Sequence, residues 1–260
     1  MTERFLAGGF LIEYIESRNN APVLWEKHCH TQYEMISVLE GDITLMLEGC
    51  SYRIRSGQAV IVPPLFYHAV TANQKGLYRR VTALFHLAAV PEVLQEHFQN
   101  KNAVLTVFRG EQSEELGTLC RERDKLFYMP LGESLMIRHL YGDVQAKQNE
   151  TVAETDEFLR QVISYIDAHL CERITLEDLA VCVSRSKSSV SHLFEEKMNI
   201  TPKQYILQKK LALAHKLIEE GTSPTAAAMQ VGYENYSNFY RVYRKLFHAS
   251  PSGRAAEKSK

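Results

Sequence analysis

Two stretches decide the fold of this chain: Thr175–Pro202, TLEDLAVCVSRSKSSVSHLFEEKMNITP, and Ser223–Pro251, SPTAAAMQVGYENYSNFYRVYRKLFHASP. They are one unit written twice. Leu179-Ala180 and Val183 recur 48 positions later as Ala227-Ala228 and Val231. Beyond the turn the offset is 49, matching Ser186 with Asn235, Val190 with Phe239, Phe194 with Tyr243, and Thr201-Pro202 with Ser250-Pro251. Each copy predicts a short helix, a tight turn, a capped second helix and an exit at proline, which is the layout of a helix-turn-helix. Ala180 and Ala228 are small where two helices must cross closely, and Gly232 supplies the left-handed backbone that a tight turn needs. Thr175 with Asp178 reads as a capping box. Thr201-Pro202-Lys203-Gln204 opens a long helix that runs to Gly221 and joins the two units. Phe158–Leu170 adds a helix before them, with Phe158, Val162, Ile163, Tyr165 and Ile166 as its apolar stripe.

The second helix of such a unit lays its leading turns against base edges in the major groove of duplex DNA. In the first copy the outward positions are Lys187, Ser188, Ser191 and His192. In the second they are Tyr236, Ser237, Asn238, Tyr240 and Arg241. Arg241 can bond guanine through two N–H groups and Asn238 can pair with adenine, while Lys187, Arg244 and Lys245 suit phosphates. Charge is distributed accordingly. The chain as a whole is at −1, but residues 1–155 hold 15 Lys/Arg against 19 Asp/Glu, leaving 15 against 12 for the rest. Between Arg185 and Lys216, seven cations face only Glu195 and Glu196, a local footprint for neutralising phosphates. A solvated basic helix surface would look similar in one unit; two units in register argue for DNA.

Ile174–Ser252 resembles the DNA-binding domain of AraC/XylS-type regulators. The residues that carry the likeness are Leu179-Ala180, Ser186, Leu193-Phe194, Thr201-Pro202, the helix to Gly221, Val231-Gly232-Tyr233, Asn235, Phe239, Tyr243-Arg244-Lys245 and Ser250-Pro251. The resemblance implies two helix-turn-helix subdomains joined by the Pro202–Gly221 helix and set against successive major grooves on one face of double-stranded DNA. It further implies a small-molecule effector with sugars the commonest kind, and RNA polymerase as a partner if the outcome is activation, as for carbohydrate-utilisation genes; a homodimer is expected through the helices after the barrel, and the scattered cysteines suit a reducing cytoplasm. The departures are Tyr243 where phenylalanine is usual, His248-Ala249 where a glycine often stands, and Gly253-Arg254 in place of tyrosine-arginine.

The first ninety residues read as strands. Phe10–Ile15, Tyr33–Leu39, Ile43–Leu47, Tyr52–Ile54, Ala59–Val62 and Tyr78–Leu87 are short runs rich in β-branched and aromatic residues, separated by turn signals. Many short strands predict a closed or double-sheet β fold. Within it, His28, His30 and Glu34 form H-x-H-x-x-x-E, and period-two geometry puts the two histidines on one face. Gly57 and Pro63 precede His68. The arrangement over Trp25–Asn73 looks like the two cupin motifs, with Leu65 in place of the second motif's glycine and Asn73 one residue beyond its usual place. Three imidazoles and a carboxylate suit a divalent Zn, Fe, Mn or Ni ion. The alternative is that His28, His30, Glu34 and His68, with Trp25, Tyr33, Arg53 and Tyr67, line a pocket for a polar effector and require no cofactor. Sensory cupins of these regulators mostly bind rather than catalyse, so no catalytic residue is assigned and the chain reads as a non-enzyme.

Pro91–Asn100, Gln112–Phe127 and Leu131–Gln148 turn helical, with Leu116, Leu119, Cys120 and Leu126 on one face, and serve either intradomain packing or a dimer contact. Gln145–Asp156 is the linker candidate. The expected organisation is therefore α+β and multidomain: a cupin-like barrel over 1–90, a helical dimerisation segment and linker over 91–150, and the DNA reader over 154–254. With 45% hydrophobic and 23% charged residues the composition is that of a globular protein. No apolar run is long enough to span a bilayer, so no membrane partner is expected. The N-terminus lacks the layout of a secretion signal. Five scattered cysteines, Cys29, Cys50, Cys120, Cys171 and Cys182, give no disulfide framework. Two other readings stay open: a cupin metalloenzyme with a DNA-binding tail, and a DNA-binding protein whose barrel only dimerises.

Overall fold

The computed structural model describes residues 2–19, 23–24, 28–100, 108–109, 113–121, 125–145, 154–247 and 249–253. The chain divides into two compact units, Met1–Glu154 and Thr155–Lys260.

In the first unit, β1 (Thr2–Ala7), β2 (Phe10–Asn19), β3 (Val23–Leu24), β4 (Tyr33–Glu40), β5 (Asp42–Leu47), β6 (Cys50–Arg55), β7 (Gln58–Val62), β8 (His68–Ala72), β9 (Gly76–Phe85) and β10 (Phe108–Arg109) form two sheets. One runs β1-β2-β9-β4-β7-β10, and in the other β6-β5-β8-β3 lie consecutively. Neighbouring strands in both orders pair antiparallel, as in the register Ile36↔Thr82 and Leu45↔Val70. Alternation along β4 sorts the core. Ile36 and Val38 turn between the sheets with Ile43, Leu45, Ile54, Val60, Val62, Val70 and Tyr78, forming a buried barrel interior. Met35 faces the other way, onto a second core with Phe10, Ile12, Tyr14, Ala83 and Phe85. Strands buried on both faces lose the apolar–polar alternation, which is why β4 and β7 read as near-continuous apolar runs.

The second core is closed by α1 (Glu92–Asn100), α2 (Ser113–Arg121) and α3 (Lys125–Gln145). Leu94, Phe98, Leu116, Leu119, Cys120, Met136 and Leu140 pack on the outer face of the first sheet. The 91–150 segment thus shares its apolar core with the barrel. Its helix boundaries differ from the sequence expectation. Residues 122–124 lie outside the described residues, and α3 starts at Lys125 and runs on through Pro130 instead of breaking there. A proline costs the helix one hydrogen bond and a local clash, and tertiary packing outweighs it here. Gly132 lets the helix lie directly on β1, since a Cβ there would come 2.8 Å from the Phe5 ring. Residues 146–153 of the expected linker lie outside the described residues, while Asp156 caps the next helix.

The second unit is helical: α4 (Glu157–Ala168), α5 (Leu176–Cys182), α6 (Lys187–Met198), α7 (Pro202–Glu219), α8 (Pro224–Gln230) and α9 (Tyr236–Phe247). Its punctuation follows the sequence closely. Both capping boxes form, Thr175 with Asp178 and Thr201 with Gln204. The side chains of Ser186, Ser223 and Asn235 cap α6, α8 and α9. Leu211, Ala214, Ala227, Ala228, Val231, Phe239 and Tyr243 make the core of the second repeat. Tyr243, the departure from phenylalanine, gives its hydroxyl a partner in His215 Nδ1. His248 and Arg254, two of the other departures, lie outside the described residues.

Candidate functional site

In the barrel, β8 and the segment before β4 are tied back to back. His28 N donates to the His68 carbonyl at 3.0 Å and His68 N returns a bond to His28 O at 2.9 Å, while Leu65 N donates to His30 O at 2.8 Å. This zipper brings the three rings together, with centroids 4.5 Å apart for His28–His68, 5.2 Å for His30–His68 and 5.6 Å for His28–His30. Glu34 has the parity of Ile36 and Val38 and points inward to meet them. One ligand atom from each of His28, His30, Glu34 and His68 lies within 4.8 Å of all the others.

The orientation of two rings is set by the backbone. Nδ1 of His30 donates to Gln32 O at 2.8 Å and Nδ1 of His68 to Phe66 O at 2.9 Å. A carbonyl oxygen only accepts, so Nδ1 carries the proton and Nε2 faces the centre. There the Nε2 atoms lie 3.2 and 2.8 Å from Glu34 Oε2. Burial alone would push the Glu34 carboxyl up, but the hydrogen bonds and charge of His30 and His68 hold it well below the usual carboxylate range. For His68, burial pulls the imidazole down and the Glu34 carboxylate more than restores it, so its pKa is raised. A carboxylate in contact with two inward Nε2 atoms is stable with a proton on an imidazole or with a cation between the groups. Ligand atoms around a first-row ion at about 2.1 Å stand roughly 3–4 Å apart, so these four residues are the ones that could hold a divalent cation.

The other expected pocket residues do not all join it. Tyr33, one residue from Glu34, takes the opposite face of β4 and stacks on Phe85 and meets a tilted Phe98 in the helix-covered core, with centroid separations of 5.5 Å to each. Arg53 faces outward between the inward Tyr52 and Ile54, and its guanidinium binds Asp42. Strand alternation corrects both. Tyr67 is buried beside His68, and its N–H donates to Glu48. Trp25 lies outside the described residues. Asn73 acts in the frame, linking Thr44 and Asp42 by side-chain bonds of 3.0 Å each. Tyr78 and Arg80 are not among the residues expected in the pocket from sequence. Both take the inward face of β9, since Arg80 pairs with the inward Val38, and both are buried. Arg80 Nη1 donates to the Tyr78 hydroxyl at 3.5 Å. The charge of Arg80 reaches His68 and that of Glu34 reaches Tyr78. Alternation along β9 carried that signal.

In the second unit, Lys187, Ser188, His192, Tyr236, Ser237, Asn238, Arg241 and Lys245 are exposed, with Ser191 and Tyr240 half-buried. Beneath them Val190, Phe194, Phe239 and Tyr243 are buried, so each reading helix hides one stripe and offers the other. Lys187 is held by Glu177 at 2.6 Å. Arg241 Nη2 donates to Asn238 Oδ1 at 3.0 Å, which uses one of the guanidinium's donors. Arg244 lies over the Tyr240 ring. Two adjoining clefts of about 350 and 490 Å³ share Ile174, Lys203 and Ile206 in their linings. Ser191 lines one and Asn238 the other. The two clefts therefore adjoin along α7, with one reading helix bordering each.

Comparison with known proteins agrees with this geometry. Residues 179–254 match a helix-turn-helix domain family and residues 22–78 a cupin domain family. The chain is 36% identical over 234 residues to the probable transcriptional regulator LumQ of Photobacterium leiognathi, covering 86% of this chain and 90% of LumQ. It is 24% identical over 263 residues to the transcriptional activator RhaS of Klebsiella pneumoniae, covering 95% and 93%. Among solved structures, a probable AraC family regulator from Rhodopseudomonas palustris is 31% identical, covering 37% of this chain and 93% of that one, with a TM-score of 0.35. The chain belongs to the AraC/XylS family of transcription regulators, carrying a cupin-like N-terminal domain and a DNA-binding pair of helix-turn-helix units.

Proposed function

We propose that this regulator answers to a small polar effector taken up in the barrel, with His28, His30, Glu34 and His68 as its anchor and a divalent cation as part of that anchor. The observation that carries the reading is the convergence of three imidazoles and one carboxylate within 4.8 Å, with two rings oriented by backbone carbonyls in the manner of metal ligands. The effector shifts the DNA-bound population only if it favours the DNA-competent arrangement, and by no more than that difference in affinity. Activation, through contact with RNA polymerase in the cytoplasm, is the outcome proposed, in line with the name of RhaS. A sugar is the first effector class to screen. A homodimer is proposed through α3, where Leu131 and Val144 are exposed.

The test is metal analysis of the purified chain together with a thermal-shift screen, with and without Zn, Mn, Fe or Ni salts. A stoichiometric ion, or a metal-dependent rise in Tm that His28→Ala with His68→Ala abolishes while duplex DNA binding persists, supports the reading. An unchanged Tm with every metal and metabolite leaves the barrel as a dimerisation element and overturns it. Turnover of an added substrate would favour a metalloenzyme instead.

A further inference from the structure

The two adjoining clefts along α7 have a charge that base recognition alone does not use. The larger, about 490 Å³, is lined by Arg173, Lys203, Lys210, Glu234, Asn235 and Asn238, among others. Three cations thus meet one acid. Arg173 and Lys203 are exposed, and neither forms an ion pair among the described residues. Lys210 is half-buried and donates one N–H to Glu172 O at 2.7 Å. An ammonium has three donors, so Lys210 can pin this loop and still face the cleft. Lys203 and Lys210 are seven residues apart on α7, hence on one face and about 10 Å apart along its axis.

DNA geometry says what passes here. Successive major grooves on one face of a duplex are about 34 Å apart. The 18 residues of α7 span only about 27 Å. Between two grooves held at the ends of this rod, the duplex must present its minor groove and both flanking phosphate backbones to the rod's face. We infer that Arg173, Lys203 and Lys210 form a central phosphate clamp, which holds the DNA backbone between the two reading helices and reads no bases. The inference rests on the DNA-binding assignment of the tail and adds contacts that neither reading helix supplies.

Counterion release makes the clamp measurable. Each phosphate neutralised on B-DNA contributes about 0.9 to the slope of log K against log salt. The full chain is titrated with a labelled 30-base-pair duplex of arbitrary sequence at several KCl concentrations, using fluorescence anisotropy. Arg173→Ala and Lys203→Ala are each expected to flatten the slope by about 0.9, and together by about 1.8, equally for duplexes of different sequence. Arg160→Ala removes an exposed cation from α4 that is engaged by Glu157 and lies outside the cleft, and it should leave the slope unchanged. Two exposed side chains are chosen so that folding is not at stake. A wild-type slope retained by the double variant overturns the clamp, as does an equal loss from Arg160→Ala, which would mean that net charge alone matters. Failure of the wild-type chain to bind any duplex at low salt would overturn the DNA assignment along with it.

Discussion

The two helix-turn-helix units are built to one backbone plan and tuned by different neighbours. At the first turn Ser184 N donates to Val181 O at 3.2 Å and Arg185 N to Ala180 O at 3.0 Å. At the second, Gly232 N donates to Met229 O at 3.0 Å and Tyr233 N to Ala228 O at 2.9 Å. Both turn residues are left-handed, with φ 52° at Ser184 and 80° at Gly232. A serine and a glycine therefore do the same local job. The difference comes from outside the turn: a Cβ at position 232 would lie 2.8 Å from the Cys171 carbonyl oxygen and 3.0 Å from Lys210 Nζ. The second turn is pressed into a seam that joins the repeats, and glycine is required by that seam as much as by φ. The reading surfaces diverge as well. The first offers serines and a histidine, the second an arginine bonded to an asparagine.

The comparison breaks most readily at the turns. Gly232→Ala combines left-handed strain of about 1–2 kcal/mol with a collision against backbone, and should cost about 3 kcal/mol in all, read from urea unfolding of the full chain. A loss below about 1 kcal/mol would show that the seam yields. Arg241→Ala should weaken operator binding by about 1–3 kcal/mol and relax the base preference of its half-site. His192→Ala in the first unit should cost less than that, and an equal penalty at both would remove the asymmetry proposed between the units. The caps should behave alike: Ser186→Ala and Asn235→Ala are each expected to cost about 1 kcal/mol. Smallest is Ser184→Gly. Relief of left-handed strain and the added freedom of the unfolded chain nearly cancel, so the midpoint should move by less than about 1 kcal/mol. A large destabilisation there would mean that the serine side chain carries a contact of its own.

Leu65 makes a related point in the barrel. It stands where the cupin motif has glycine, and the structure gives it φ 69°. That is a left-handed backbone that leucine rarely adopts, and Leu65 N is held there by His30 O. Such a substitution is visible in the sequence, but whether the backbone follows the residue or the motif is not.

The helical tail was the most legible part. Its caps, prolines and repeat spacing act over three or four residues, so a local reading is sufficient. Strands β4 to β7 are recognisable from their apolar runs, whereas β1 is fixed by its hairpin with β2 across Gly8-Gly9 and β8 by its pairing with the sequence-distant β5. Candidate pocket residues fared unevenly for the same reason. His28, His30, Glu34 and His68 share a spacing that survives folding. Tyr33 and Arg53 have chemistry that suits the same pocket, but one step of strand parity sends each to the other side of its sheet.

From the residues alone came the repeat, the caps, the reading helices and the histidine–glutamate string, since each depends on spacing along one stretch of backbone. Only the folded chain settled which side chains meet across stretches. It carried α3 through Pro130, turned Tyr78 and Arg80 into the barrel, set Cys171 against Gly232, and gathered Arg173, Lys203 and Lys210 into one cleft. These depend on packing between segments far apart in sequence, where burial and steric fit outweigh local preference.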